Sequence, residues 1–170
     1  ISSLMAWSEV LRESYPDDAF LSEMNKDIAR LQLIAERFSK IGSAPELTEQ
    51  DVCPIVQRVG AYFRHRTSSR VTITVSVPSQ AVTARVNAPL LEWVFENLCK
   101  NAIDAMQGAG NLTLTLKESA IVEKRKRYLR VEVSDTGKGI AKNHFQRVFK
   151  PGFTTKRRGW GLGLSLAKRI

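Results

Sequence analysis

Three polar residues lie at helical spacing in a segment that is otherwise rich in apolar residues. Asn97, Asn101 and Asp104 fall within about 60° of one another on a helix, with Trp93 and Lys100 beside them. The opposite side is apolar: Leu91, Val94, Phe95, Leu98, Ala102 and Met106. Asn is a mediocre helix former, but its side-chain oxygen can ligate a hard cation such as Mg²⁺. The stripe is a candidate cation site, and a solvated polar stripe is the alternative.

A second candidate site follows a predicted strand. The segment Asp135-Thr136-Gly137-Lys138-Gly139-Ile140 comes directly after the alternating residues 129–134. An Asp at a strand end can accept a hydrogen bond from an exocyclic amine, and glycines two apart let a ligand lie against the backbone. The alternative is an ordinary Asp-x-Gly turn.

A glycine-rich loop runs into the last predicted helix. Gly159, Gly161 and Gly163 have G-x-G-x-G spacing, and such a loop presents backbone N–H groups that can cradle phosphate. It is not the dinucleotide fingerprint, because it does not follow the first strand of a βαβ unit. The preceding residues supply hydroxyls and cations suited to phosphate oxygens: Thr154, Thr155, Lys156, Arg157 and Arg158.

The charge of the chain is concentrated near this loop. The 170 residues contain 26 Lys and Arg and 17 Asp and Glu, a net charge of +9. Residues 1–137 carry 17 basic and 17 acidic residues, whereas residues 138–170 carry nine basic residues and no acidic one. A nucleic-acid-binding module predicts basic residues along a helix or strand face with interleaved aromatics. Here the charges lie in glycine-rich loops, which favours a single phosphate-bearing ligand.

The remaining composition excludes several classes of protein. With 43% hydrophobic and 25% charged residues, the chain is not disordered, collagen-like or a membrane bundle. Cys53 and Cys99 are far apart, which argues against a disulfide scaffold or a Cys-based zinc site and fits a reducing, cytoplasmic setting. His65 and His144 lack metal-ligand spacing, and we expect both to be structural or exposed.

The N-terminal residues 1–43 are predicted to form two helices. Leu4, Trp7 and Leu11 make an apolar stripe, and Asp17 or Asp18 can cap the second helix after the break. The second stripe continues to the terminating Gly42: Phe20, Met24, Ile28, Leu31, Ala35, Phe38 and Ile41. Two helices bury little by themselves, so the seam should meet another subunit or a second domain. Packing on their own domain is the alternative.

The rest of the chain is predicted to be α+β. A polar connection precedes a helix over about 53–66, and later elements are strands over 71–77 and 81–86, a helix over 88–107, strands around 112–116 and 129–133, and a helix from about Leu162. The connection 117–127, with basic residues 124–127, is predicted to be a solvated hairpin tip. Two consecutive strands argue against a doubly wound parallel sheet.

Taken together, the motifs resemble those of sensor histidine kinases. Residues 95–102 (FENLCKNA) resemble the N box and residues 135–140 (DTGKGI) the G1 box. Residues 148–156 (VFKPGFTTK) resemble the F box, and residues 159–164 (GWGLGL) the G2 box. Four motifs in this order within about 70 residues argue strongly against a chance match. This chain departs from the family pattern at two positions. It has Gly152 where the F box often has an aromatic residue, and we expect this to loosen the lid that residues 149–158 would form. It has Trp160 where the G2 box commonly has a small residue, and we expect Trp160 to pack over the loop or into the core.

The resemblance implies an architecture. It is an N-terminal antiparallel helical hairpin followed by an α/β sandwich of the kind found in gyrase B and mismatch-repair ATPases. Its sheet is mixed and largely antiparallel, with helices on one face. Residues 1–43 would be the dimerisation and phosphotransfer hairpin, 44–50 a linker and 51–170 the catalytic ATP-binding domain. The chain is expected to be truncated at both ends, lacking the His-Glu-x-x-x-Pro phosphoacceptor and the C-terminal strands.

The resemblance also implies a site for ATP and Mg²⁺. Asn101 would ligate Mg²⁺, Asn97 and Asp104 would lie nearby, and Asp135 would accept from the adenine amine. Gly137 and Gly139 would let the base approach. A mobile lid over 149–158 would use Lys156 as a phosphate contact. The remaining implied ATP-binding residues are Phe149, Thr154, Thr155, Gly159, Gly161, Leu162, Gly163 and Leu164.

The implied function is the cytoplasmic kinase core of a sensor histidine kinase. In the intact protein the γ-phosphoryl would pass to a His, absent from this chain, and then to an Asp of a response regulator. The chain would form a homodimer through residues 1–43, bind no nucleic acid and meet a membrane only through segments outside it. Two alternatives are another ATPase or serine kinase of the same fold, and a scaffold that dimerises without nucleotide.

Overall fold

The computed structural model describes residues 2–15, 18–42, 45–123, 126–156 and 159–170. The chain divides into two compact units, Ile1–Pro45 and Glu46–Ile170. Within the described ranges, no helix combines the length and the apolar character needed to cross a bilayer.

The first unit consists of two helices, α1 (Ser2–Ser14) and α2 (Ala19–Gly42), as the sequence predicts. Asp18 caps α2, since its Oδ1 accepts from the backbone N–H groups of Phe20 at 2.7 Å and Leu21 at 3.1 Å. Leu21 and Ile28 are buried. Among the described residues of this unit, the exposed large apolar side chains are Leu4, Met5, Trp7, Val10, Leu11, Tyr15 and Phe20. The predicted seam positions Phe38 and Ile41 have side chains outside the described ones.

The second unit carries the remaining elements: β1 (Thr48–Asp51), α3 (Val52–Arg64), β2 (Val71–Ser76), β3 (Thr83–Val86), α4 (Ala88–Met106), β4 (Gly110–Glu123), β5 (Lys126–Asp135), a 3-10 turn (Lys142–His144) and α5 (Gly163–Arg169). The main sheet has the order β2-β4-β5, with β2 parallel and β5 antiparallel to β4. A second, two-stranded sheet pairs β1 and β3 antiparallel. The predicted α+β class and mixed sheet are confirmed.

Helices α3 and α4 contribute their apolar faces to one core with this sheet. The core includes Ile55, Val56 and Val59 of α3, Phe95, Cys99 and Ala102 of α4, and Leu112, Leu114 and Leu116 of β4. The alternating leucines of β4 therefore point inward, as their period predicts. Both cysteines are buried free thiols, and burial raises the pKa of Cys99 to about 12.

The ends of the two core helices are fixed by side-chain caps. Asp51 begins α3, accepting from the N–H of Cys53 at 3.0 Å and the N–H of Val82 at 3.1 Å. The Cys53 N–H is the larger cause of the lowered pKa of Asp51. Asn87 begins α4 by accepting from Leu90 N at 3.1 Å, and Gln107 ends it in the left-handed conformation.

Some sequence predictions of local structure are wrong. Residues 48–50, assigned to the polar connection, belong to β1; a strand of sequence Thr-Glu-Gln-Asp has no apolar alternation to reveal it. The predicted connection 117–127 is largely strand, with residues 124–125 outside the described ones. Trp93, for which the sequence predicted only a place beside the polar stripe, is buried at 7% exposure.

Candidate functional site

The polar stripe of α4 holds a lysine from a distant loop. The Nζ of Lys156 donates to Asn101 Oδ1 at 2.8 Å and to Asp104 Oδ2 at 2.6 Å. These partners are 55 and 52 residues away in sequence, so the fold brings the predicted lid and the predicted cation stripe together. Both Asn101 Oδ1 and Asp104 Oδ2 therefore face the positive charge of the Lys156 ammonium.

One turn earlier on the same helix, Asn97 contacts the last glycine of the glycine-rich loop. Its Nδ2 donates to the Trp93 carbonyl at 2.9 Å, which orients the amide on the helix surface. Its Oδ1 lies so close to Gly163 that a β-carbon there would meet it at 2.9 Å. Glycine at 163 therefore permits the start of α5 to approach α4.

At the other end of the stripe, the loop after β5 lies against the last turn of α4. The N–H of Gly137 donates to Asp135 Oδ1 at 2.8 Å, which leaves Oδ2 for another donor. The N–H of Lys138 donates to the Ala105 carbonyl at 3.2 Å. An open cavity of about 310 Å³ lies here, lined by Ala105, Met106, Gln107, Thr136, Gly137 and Lys138. Gly139 has open space around it.

The predicted lid and the glycine-rich loop are joined backbone to backbone. Gly152 N–H donates to the Gly161 carbonyl at 3.0 Å. A β-carbon at 161 would collide with the backbone of Gly152 and would meet Phe153 N at 2.6 Å. A β-carbon at 159 would collide with Thr154 Oγ1. These glycines therefore serve close packing between the two loops.

The two positions that depart from the family pattern, Gly152 and Trp160, lie in different surroundings. Gly152 adopts a φ of +81°, a conformation that other residues rarely take, so the turn itself calls for glycine. The neighbouring Phe153 ring contacts His144 edge-on at 5.3 Å and lies under Arg147 at 4.9 Å. Trp160 is 54% exposed, so packing into the core is wrong, and packing over the loop stays a prediction.

The other predicted residues occupy less constrained positions. Phe149 is 43% exposed, with Lys168 Nζ 5.3 Å from its ring centre. Thr154 Oγ1 accepts from the Lys156 N–H at 3.1 Å, while Thr155 is exposed. Leu162 precedes α5 without a side-chain cap, and Leu164 is half-buried. His65 is exposed at the end of α3, and the ring of His144, in the 3-10 turn, contacts the Phe153 ring.

The three loops therefore meet α4 in order along its axis. Gly163 lies at Asn97, Lys156 at Asn101 and Asp104, and Gly137 at Ala105. Eight residues of helix separate the first contact from the last, which corresponds to about 12 Å of axial rise. Motifs scattered through 135–163 thus share one helix surface.

Two residues that support this site were missed by sequence reasoning. Thr136 Oγ1 accepts from Asn111 N at 3.0 Å, and the Thr136 N–H donates to the Asn111 carbonyl at 3.2 Å. Ala105 supplies the carbonyl that anchors Lys138. The position of Thr136 between Asp135 and Gly137 was the available signal, whereas nothing in the type of Ala105 indicates its role.

The oxygens on the stripe suit a hard cation. Asn101 Oδ1 and Asp104 Oδ2 already surround an ammonium ion, and Mg²⁺ uses oxygen ligands of these types. Among the described residues there is no group of three or more His, Cys, Asp or Glu able to hold a metal. A Mg²⁺ ion here would therefore complete its shell with phosphate and water oxygens, as is usual for this ion.

Comparison with known protein families gives one matching model. The family described as histidine kinase-, DNA gyrase B-, and HSP90-like ATPase matches residues 86–170, a range that includes α4, the loop after β5, the predicted lid and the glycine-rich loop.

Several sensor kinases are similar in sequence. The sensor protein KdpD of Clostridium acetobutylicum is 29% identical over 168 residues, covering 95% of this chain and 17% of that protein. Sporulation kinase D of Bacillus subtilis is 26% identical, covering 100% of this chain and 34% of that protein. The chain thus spans only about a sixth to a third of the length of these relatives.

Solved structures of histidine kinases are similar in fold. The catalytic domain of histidine kinase ThkA matches with a TM-score of 0.64 and 25% identity, over 74% of this chain and 79% of that one. Full-length ShkA, solved in complex with AMPPNP, matches with a TM-score of 0.67 and 21% identity, over 99% of this chain and 40% of that one.

Proposed function

The chain belongs to the histidine kinase-, DNA gyrase B- and HSP90-like ATPase family, and on that premise we propose that residues 51–170 bind ATP with Mg²⁺ as the nucleotide-binding part of a sensor histidine kinase. The observation that carries the proposal is the order of contacts along α4, where three separate loops meet one polar helix surface. The three contacts extend over about 12 Å of α4, and this length suits an extended ligand with a base at one end and phosphates at the other.

The base is assigned to the loop after β5. Asp135 would accept from the adenine amine through Oδ2, because its Oδ1 is held by the Gly137 N–H at 2.8 Å. The cavity beside Gly137 offers the space. A guanine would place a carbonyl oxygen where adenine has its amine, and two acceptors facing each other are unfavourable.

The phosphates are assigned to the other half of the surface. Asn101 would contribute an oxygen to Mg²⁺, with Asn97 beside it on α4. Lys156 would contact the phosphates from the lid, and Gly161 and Gly163 would offer backbone N–H groups. Mg²⁺ held by Asn101 would neutralise phosphate charge, and phosphoryl transfer depends mainly on positioning and charge neutralisation.

The intact protein would use this site to phosphorylate a histidine and then a response regulator. The similarity to sensor kinases over 95% of the chain supports this assignment. Residues 1–43 would be the hairpin through which two copies pair, and the exposed apolar side chains of α1 support that role. The cytoplasmic location and the absence of nucleic-acid binding remain predictions, as does a linker in the part of 44–50 that precedes β1.

A titration with a non-hydrolysable ATP analogue tests the proposed site. We expect the parent chain to bind the analogue with Mg²⁺. Asn101→Ala should bind it at least about ten-fold more weakly, since losing even an outer-shell partner of a bound metal costs about 10–100-fold. Removing Mg²⁺ should weaken the parent more than it weakens Asn101→Ala.

The control is Asn143→Ala, which removes an exposed asparagine from the 3-10 turn. It should bind like the parent. Absence of binding by the parent, or equal binding by parent and Asn101→Ala, would contradict the proposal.

A further inference from the structure

We propose that Asp104 is a positioning residue that acts through Lys156. In the nucleotide-free chain it would hold the Lys156 ammonium on Asn101 Oδ1, and this ammonium would leave when the metal–nucleotide arrives. We call the contacts of Lys156 Nζ with Asn101 Oδ1 and Asp104 Oδ2 the lysine latch. The inference rests on the proposed function, because it assigns a resting state to the same site.

Hydrogen bonds hold both the side chain and the backbone of Lys156. Lys156 Nζ lies 2.8 Å from Asn101 Oδ1 and 2.6 Å from Asp104 Oδ2, which uses two of its three N–H donors. The backbone around Lys156 is also held, with its N–H donating to Thr154 Oγ1 at 3.1 Å and its carbonyl accepting from Gly159 N at 3.3 Å. The backbone of Lys156 is therefore held by hydrogen bonds to residues on either side of it.

The ammonium and a magnesium ion would compete for the same oxygen. Mg²⁺ binds oxygen at about 2.0–2.1 Å, and the ammonium occupies Asn101 Oδ1 at 2.8 Å. Two cations sharing one neutral amide oxygen repel each other at short range. Binding the metal at Asn101 thus requires Lys156 to move, and the incoming phosphates offer it new acceptors.

The ion pair in the lysine latch is weak, as a contact that must break on nucleotide binding should be. The side chains of Lys156 and Asp104 are 43% and 42% exposed, and ion pairs of such exposure are weak and screened by salt. Asp104 would therefore bias the lid without locking it. Removing its charge should release Lys156 for the phosphates and raise nucleotide affinity by about two- to five-fold.

The first test needs no nucleotide. The acetylation rate of Lys156 by an amine-reactive reagent is followed by mass spectrometry on the whole chain. We expect Asp104→Asn to raise that rate by about two- to five-fold, because the amine no longer has to leave a carboxylate. Asp104→Glu, which keeps the charge, should restore most of the protection.

The matched control is Glu92→Gln, the same change of charge on the same helix. Glu92 pairs with Arg58 at 2.6 Å, so its loss should leave Lys156 reactivity as in the parent. A Lys156 rate that is unchanged by Asp104→Asn, or raised equally by Glu92→Gln, would overturn the latch.

The second test is a double-mutant cycle on the affinity for the ATP analogue with Mg²⁺. Asp104→Asn should tighten binding in the parent and change it little in the Lys156→Met background, where no latch exists. Equal tightening in both backgrounds would indicate direct repulsion between Asp104 and the phosphates and would overturn the proposal. Weaker binding by Asp104→Asn would overturn it as well.

The two proposals fail differently. If the parent binds no nucleotide, the proposed function fails, while the acetylation test still decides whether Asp104 holds Lys156. If the parent binds nucleotide and the acetylation rate of Lys156 is the same in the parent and in Asp104→Asn, the latch fails and the proposed function stands.

Discussion

Gly137 lies directly against Ala105 in the last turn of α4. A β-carbon at 137 would come within 2.7 Å of both the backbone carbon and the Cβ of Ala105. The next N–H, that of Lys138, donates to the Ala105 carbonyl at 3.2 Å. This pair joins the loop after β5 to the helix that carries the polar stripe, and it leaves no room for a side chain.

The substitution Gly137→Ala should therefore be destabilising. Backbone at the contact cannot yield as a flexible side chain can, so we expect a loss of about 1–3 kcal/mol in the free energy of unfolding, measured by urea denaturation. The control is Gly139→Ala, at a φ of +68° with open space around it, which should cost only about 1 kcal/mol of backbone strain. A smaller loss at 137 than at 139 would contradict the packing argument.

The cap of α3 should make stability depend on acid pH. The N–H groups of Cys53 and Val82 lower the pKa of Asp51 in the folded chain. The unfolded chain therefore takes up a proton first as the pH falls, and the stabilisation, complete above the unfolded pKa near 4, is lost as the pH drops through the lower folded pKa.

We expect Asp51→Asn, which keeps an acceptor oxygen, to lose less stability than the parent between pH 5 and pH 3, in the acid range set by carboxylates. Urea denaturation at both pH values measures the difference. Glu49→Gln, which changes the charge of a neighbouring strand residue, is the control and should follow the parent. Parallel losses for the parent and Asp51→Asn would contradict the assigned role.

The exposed stripe of α1 should control pairing of two copies. Trp7 is 69% exposed beside the exposed Leu4 and Leu11, and a contiguous apolar patch is typical of an interface. We expect Trp7→Glu to shift the chain from dimer to monomer in sedimentation equilibrium, with helix content retained.

Ala6→Glu adds the same charge to an exposed position of α1 away from that stripe. It should keep the oligomeric state of the parent. A parent that is monomeric, or a dimer that persists in Trp7→Glu, would contradict pairing through this stripe.

Sequence reasoning predicted the elements whose periodicity is strong. The alternating leucines of β4, the long helix α4 and the break capped by Asp18 all follow from local patterns. It did not predict β1, because pairing of Thr48–Asp51 with β3 is a tertiary event without an apolar signature. It also missed the burial of Trp93, since a wheel drawn around polar residues does not show which neighbour packs inward.

The site was predicted as a set of residues, but its internal contacts were not. Asn101, Asp104 and Lys156 were each selected from motifs, yet their direct contact depends on how a loop 52 residues away folds back on α4. The anchoring by Ala105 uses only a backbone carbonyl. Such contacts carry no residue-type signal and require the fold.

The most direct measurement is a competition between ATP and GTP for the site, in the parent chain and in Asp135→Asn. We expect the parent to prefer ATP by about ten-fold or more, because a hydrogen bond to a carboxylate is worth roughly 1.5–3 kcal/mol. Asp135→Asn should lose most of that preference. Equal affinity of the parent for ATP and GTP, or an unchanged preference in Asp135→Asn, would contradict a nucleotide site in which Asp135 selects adenine.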